Sequence, residues 1–214
     1  MSDLPSTVEI HEEGPREGFQ IEPGPISTVD KVKLIDALSK TGLKHIQACS
    51  FVNPRLVPGW ADAEKVVESF DAHEDVEYTG LYFNGNGLDR ALAFKDKLTI
   101  SGSISLTASE GFTKKNLNRT HAENMAAMER HVMSHLELGI PVNRIGVMAA
   151  FGCNYQGDIS PATVIKTLED GMQIAAKTGA EITLFSLADT MGWAAPHRIE
   201  RAVSYTHLRA HETL

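Results

Sequence analysis

Arg16 and Glu17 stand side by side in Glu13-Gly14-Pro15-Arg16-Glu17-Gly18-Phe19-Gln20, directly behind the strand-like run Thr7-Val8-Glu9-Ile10-His11-Glu12. The guanidinium is always charged and offers a fixed cation to a substrate oxyanion; the carboxylate beside it can serve a metal ion or a proton. Side chains that leave the carboxyl end of a parallel strand point into the active-site mouth of barrel enzymes, so a strand running into this turn suits catalysis. An exposed, salt-bridging turn would use the same residues. The octapeptide leaves both readings open.

Positioning such a pair requires a scaffold, and the chain alternates strand-like and helical patterns. Strands are expected over 7–12, 44–49, 77–83, 97–103, 144–149 and 181–187. Helices are expected from Val29 to Lys40, Ala61 to Phe70, Leu88 to Phe94, Ala122 to Leu138 and Pro161 to Thr178. Ser27 and Thr28 are placed to cap the first helix, Ser160-Pro161 reads as an N-cap with proline in the first turn, and Gly42 and Gly179 fall where C-caps belong. Regular βα alternation implies a parallel sheet with right-handed crossovers.

Several ordered motifs then carry a resemblance. Gly14-Pro15-Arg16-Glu17-Gly18-Phe19-Gln20, Ile26-Ser27-Thr28 with Lys31 to Leu38, and Ser50-Phe51-Val52-Asn53-Pro54 with Val57-Pro58 come first. Gly111-Phe112-Thr113-Lys114-Lys115-Asn116, Gly152-Cys153-Asn154-Tyr155-Gln156-Gly157 and Ser186-Leu187-Ala188-Asp189-Thr190 follow. Together, over roughly residues 7 to 200, they resemble the hydroxymethylglutaryl-CoA lyase family.

The resemblance implies an α/β fold of the TIM (β/α)8 type, with about six βα units present over residues 1–203. It implies retro-Claisen cleavage of a branched 3-hydroxyacyl-CoA to acetyl-CoA and a keto acid, a step of leucine catabolism in this family. A divalent metal, Mg2+ or Mn2+, is the implied cofactor, and homo-oligomerisation of the full-length protein is expected. Arg16 matches the family's catalytic arginine, and Asp189 a family aspartate near the site, with capping of the next helix through Asp189-Thr190 as its alternative. Ser50 and Ser186 match pocket-lining positions, where either could instead bond its own backbone. Lys114, Lys115 and Asn116 are candidates for the CoA phosphates or pantetheine, although a basic pair on a loop also suits plain solvated surface. Arg16, Gln47, Ser186 and Asp189 are expected at the carboxyl ends of the strands.

Two positions depart from the pattern. Glu17 replaces the family's aspartate metal ligand and reaches one methylene further. Gln47 replaces a glutamate, and an amide supplies neither a base nor the negative charge. The family's His-x-His metal motif and later catalytic cysteine are not in the sequence, and residues 204–214 do not resemble the family; a truncated chain, nearly inactive alone, with a foreign tail is the simplest expectation. His207 and His211, spaced i, i+4 beside Glu212, could bind zinc but lie in that tail.

Other functions remain in view: a lyase or synthase acting on another acyl-CoA such as citramalyl-CoA, or a catalytically silent acyl-CoA-binding homologue. Gly14-Pro15-Arg16 is the lyase pattern rather than that of isopropylmalate-type synthases. A net charge of -8 over 214 residues argues against nucleic acid or an anionic membrane as partner. Cys49 and Cys153 are too few for a disulfide framework, no apolar run reaches membrane-spanning length, and a cytoplasmic setting is expected.

Overall fold

In the computed structural model, residues 6–24 and 26–202 are described, and the chain divides into two compact units, Met1–Ile100 and Ser101–Leu214. The tail, with His207, His211 and Glu212, lies outside the described residues.

The first unit runs β1 (His11–Glu12), α1 (Gly14–Ile21), α2 (Thr28–Leu38), β2 (His45–Ser50), a short 3-10 turn (Pro58–Trp60), α3 (Ala63–Ser69), β3 (Glu77–Leu81) and α4 (Gly85–Leu92). Its strands form a parallel sheet in the order β1-β2-β3. Ser27 caps α2 as expected, its side chain accepting from Asp30 N at 3.1 Å. Lys97 closes the other end of α3: its ammonium donates to the carbonyls of Val67, Glu68 and Phe70 at 2.8–3.1 Å. The core is rich in aromatics, with Phe51, Trp60, Phe70 and Tyr78 packed against Ile35, Ile46, Val66 and Val67.

The second unit runs β4 (Gly102–Thr107), α5 (Glu110–Leu117), α6 (His121–Glu137), β5 (Val142–Met148), α7 (Pro161–Thr178) and β6 (Leu184–Leu187), with residues 196–202 again helical. Its parallel sheet has the order β4-β5-β6. The core is aliphatic: Ile104, Leu106, Val132, Ile145, Val147, Leu168 and Ile174. Ser160 and Pro161 open α7, and Gly179 closes it at φ 80°, a left-handed conformation that glycine adopts at little cost. Thr120 and Glu123 form a reciprocal capping box on α6. Leu184 and Phe185, on the edge strand β6, are about half exposed.

Several expectations are corrected. The strand expected over 97–103 is displaced to Gly102–Thr107, because Leu98 and Ile100 pack into the aromatic core from an irregular segment. The octapeptide of Arg16 is helical rather than a turn: Pro15 suits the first helical turn, where no donor is missed. Likewise Lys114, Lys115 and Asn116 lie on a helix, α5, instead of a loop. Gly42, at φ 93°, sits in the turn beyond α2 while Ser39 holds the C-cap position.

Candidate active site

Helix α1 leaves β1 after a single residue, so Arg16 is delivered to the carboxyl end of β1 and β2. Its guanidinium is tied on three sides. Nε donates to Gln47 Oε1 at 2.5 Å, Nη2 to Glu13 Oε2 at 2.8 Å, and Nη1 to Glu17 Oε2. The side chain is 12% exposed, whereas those of Glu13 and Glu17 are more than half exposed. Gln47 thus fixes the fork from below without neutralising it, and a cation held in one orientation needs no reorganisation when charge develops opposite it.

A second layer holds α1 in place. Trp60 Nε1 donates to the Arg16 carbonyl at 3.1 Å. Under it lies Lys31, 2% exposed, whose ammonium donates to Gly59 O and Asp62 Oδ1, each at 2.5 Å, and sits 4.8 Å from the Trp60 ring centroid. Thr28 Oγ1 donates to the other Asp62 oxygen at 2.6 Å. Burial alone would raise the Asp62 pKa; the Lys31 and Thr28 hydrogen bonds outweigh it, and the carboxyl is held below its ordinary value. A buried lysine has no pattern that sequence reading detects, and neither Lys31 nor Trp60 was singled out. Ser50, at the end of β2, is fully buried, and its hydroxyl has no protein partner. Cys49 beside it is buried, and desolvation pushes its thiol far up, so it is an inert packing group.

In the second unit three of the matched motifs interlock at the carboxyl end of the sheet. Ser109 caps α5, accepting from Phe112 N, and donates to Gln156 Oε1 at 3.1 Å. Asn154 Oδ1 accepts from Trp193 Nε1 at 2.8 Å, and Ala149, at φ 54°, donates its N–H to Thr190 Oγ1 at 2.8 Å. A Cβ on Gly152 would stand 2.5 Å from the Trp193 ring, so only glycine fits there. Asp189 spans this loop: its two oxygens accept from Trp193 N at 2.7 Å and Ala194 N at 2.9 Å, which braces the loop rather than capping the next helix, since that helix opens only at residue 196. Ser186 lies on β6, and Gly146 on β5 leaves room for its hydroxyl. Lys114, Lys115 and Asn116 are exposed in the last turn of α5. Ser109 and Trp193 lie outside the matched motifs, and Gln156 stands in one without a role assigned to it. The Ser109 cap was readable from a serine followed by an acidic first turn.

The donor set for a metal is small here. Glu17 offers one carboxylate, already paired with Arg16, and a hard octahedral cation takes several oxygen ligands. Among the described residues, the group of three side chains that could hold an ion is Glu9, His11 and His45, and it does not include Glu17. The residues around Arg16 and Glu17 therefore do not by themselves compose the implied magnesium or manganese site.

An arginine-bearing helix directly behind β1, six parallel βα units and the solved structures reported below make this an α/β protein of the TIM-barrel type. The profile of the HMGL-like family matches residues 7–213, and the chain belongs to that family. It is 33% identical over 196 residues to a hydroxymethylglutaryl-CoA lyase of Bacillus subtilis, covering 92% of this chain and 62% of that protein. It is 36% identical over 196 residues to the human mitochondrial hydroxymethylglutaryl-CoA lyase, covering 92% of this chain and 57% of that one. Among solved structures, the hydroxymethylglutaryl-CoA lyase of Pseudomonas aeruginosa superposes with a TM-score of 0.81 at 28% identity, over 95% of this chain and 64% of the other. An HMG-CoA lyase from Acinetobacter baumannii, in complex with coenzyme A and 3-methylmalate, gives 0.77 at 31% identity, over 96% and 64%. The chain thus spans less than two thirds of the length of these relatives. No helix among the described residues is long and apolar enough to cross a membrane.

Proposed function

We propose that this chain carries the enolate-stabilising half of a carbon–carbon lyase that cleaves 3-hydroxy-3-methylglutaryl-CoA or a close analogue to acetyl-CoA and a keto acid, as in leucine catabolism. The observation that carries the reading is the part-buried Arg16 guanidinium, fixed by Gln47, Glu13 and Glu17 at the carboxyl end of the first sheet. In the proposed step the tertiary alcohol loses its proton and becomes the ketone. The bond between carbons 2 and 3 breaks, and its electron pair passes to the thioester fragment as an enolate. The enolate carbon then takes up a proton, so nothing is oxidised or reduced. Arg16 faces the oxygen on which that charge develops, and its attraction is strongest in the transition state.

Glu17 alone does not make a metal site, so no step is routed through an ion. Ser50, with its buried and unpartnered hydroxyl, is the proposed contact for the substrate in the first unit. Asp189 and Ser186 are proposed for the second unit's share, with Lys114, Lys115 and Asn116 for the CoA moiety. A cytoplasmic setting and a homo-oligomeric parent belong to the same proposal.

The test is a single-turnover assay with the chain in excess over labelled hydroxymethylglutaryl-CoA in the presence of magnesium. Slow acetyl-CoA release that disappears in Arg16→Met supports the lyase reading. Thioester binding with neither acetyl-CoA release nor Arg16-dependent deuterium exchange into acetyl-CoA overturns it in favour of a silent acyl-CoA-binding homologue, the reading that Gln47 in place of a carboxylate favours.

A further inference from the structure

The first sheet carries a row of ionisable side chains that the proposed reaction does not use. His11 on β1 is in register with His45 on β2, and His45 is in register with Glu77 on β3. Glu9 precedes His11 by two residues, so it projects from the same face of the chain. The two imidazoles stack with centroids 4.0 Å apart and planes 4° from parallel. Both Nε2 atoms turn to one carboxylate oxygen: Glu9 Oε1 lies 2.8 Å from His11 and 3.0 Å from His45. His45 Nδ1 lies 3.0 Å from Glu77 Oε2.

We infer that Glu9, His11 and His45 form a binding site for a borderline transition-metal cation of the zinc class, with Glu77 orienting His45 from behind. The three ligand atoms lie within 4.8 Å of one another. A tetrahedral ion with bonds of about 2.0–2.1 Å places its donors about 3.4 Å apart, so the carboxylate oxygen must withdraw by about half an ångström from each nitrogen, and the stacked rings must splay so that both Nε2 lone pairs aim at one point. Glu9 and His11 are exposed, which leaves room for both movements. With both rings neutral and both carboxylates ionised, the cluster carries two negative charges, which a divalent cation balances. The outer carboxylate on Nδ1 fixes which His45 nitrogen faces the ion, the arrangement that ordinarily supports a metal-bound histidine. Two imidazoles and one carboxylate select zinc, cobalt or nickel over magnesium. The ion would clamp β1, a strand of only two residues, onto β2, immediately before the helix that carries Arg16.

The probe is Co2+ titrated into the 214-residue chain carrying His207→Asn and His211→Asn, so that the sequence tail contributes no imidazole. One equivalent should give the intense visible absorption of a low-coordinate site, and Zn2+ should displace it while Mg2+ should not. His11→Asn and His45→Asn should each weaken binding at least about tenfold, and Glu77→Gln about tenfold through the lost orientation of His45. Glu17→Gln should leave it unchanged. As a readout on the unmutated first unit, Zn2+ should shift the side-chain NMR resonances of His11 and His45 but not those of His131. Absence of saturable Co2+ binding, affinity unchanged in both histidine variants, or shifts spread over all the histidines would overturn the site.

Discussion

The two units hold their polar groups in opposite ways. In the first, a guanidinium, an ammonium and an indole are stacked in layers: Arg16 is pinned by Gln47, its backbone by Trp60, and Trp60 is underlain by the buried Lys31–Asp62 pair. In the second, the loops that carry the matched motifs are held by side chains that accept from nearby backbone N–H groups, at Ser109, Asp189 and Thr190, above an aliphatic core. A charge that must meet a developing anion gains from rigid support, because misplacement of a catalytic group by even 1 Å can cost about a hundredfold. A loop framework needs only shape. The proposed function draws on this contrast: it rests on the supported charge of Arg16 in the first unit, with a backbone-bonded framework in the second.

The sharpest way to break this contrast is at Gln47. Gln47→Leu removes the acceptor from Arg16 Nε and should lower single-turnover cleavage by about ten- to a hundredfold with thioester affinity little changed. Gln47→Glu keeps the contact and strengthens it as a charged pair. A wild-type rate in the leucine variant would show that Arg16 needs no support.

Next in size is the layer beneath. Lys31→Ala leaves the Asp62 carboxylate with half of its partners and should destabilise the first unit by about 3 kcal/mol, in the range for breaking a largely buried pair. Hydrogen exchange should show the loss in α2 and α3 while α6 and α7 keep their protection.

The units should also part company with pH. Burial, and secondarily the neighbouring His135, pushes the His131 pKa down from 6.5 to about 4. The unfolded chain therefore takes up this proton first as pH falls, so the stability is complete above about 6.5 and drains away toward 4. Because the ring is only about half buried, screening reduces the effect to about 1–2 kcal/mol. Carboxyl pKa values are lowered in both units, in the second at Glu123 and Asp170. Asp62 is lowered against its burial by Lys31 and Thr28, and Glu64 chiefly by Arg90. Those contributions persist until pH falls below about 4. Exchange protection compared at about pH 7 and about pH 5 should fall in the second unit only, and His131→Gln should abolish the fall.

The smallest effect concerns a cap. Ser109→Ala removes the acceptor for Phe112 N and should cost about 1 kcal/mol in the second unit, seen as a lower urea midpoint without a change in slope.

What the sequence disclosed follows from the range of the forces involved. Helix α7 was read with both ends intact, because Ser160, Pro161 and Gly179 act on their own backbone. The strand β4 was misplaced, since Leu98 and Ile100 obey the same alternation yet are buried from a loop. Arg16 stood out through its motif, but its helix did not: eight residues with glycine and proline carry no helical period. Lys31, Trp60 and the His11–His45–Glu77 row escaped because each depends on residues brought together from separate elements. The roles of Glu17 and Gln47 turn on one methylene and one charge, which only neighbours can decide.

The central claim, that the first unit stabilises an enolate through Arg16, is tested most directly by the partial reaction in which no carbon–carbon bond breaks. The chain is incubated with acetyl-CoA in deuterated buffer, and deuterium entering the methyl group is followed by NMR. Incorporation above the buffer rate in the wild type, falling by about a hundredfold in Arg16→Lys, is the predicted result. Incorporation at the buffer rate, or at an equal rate in the two proteins, would contradict the account.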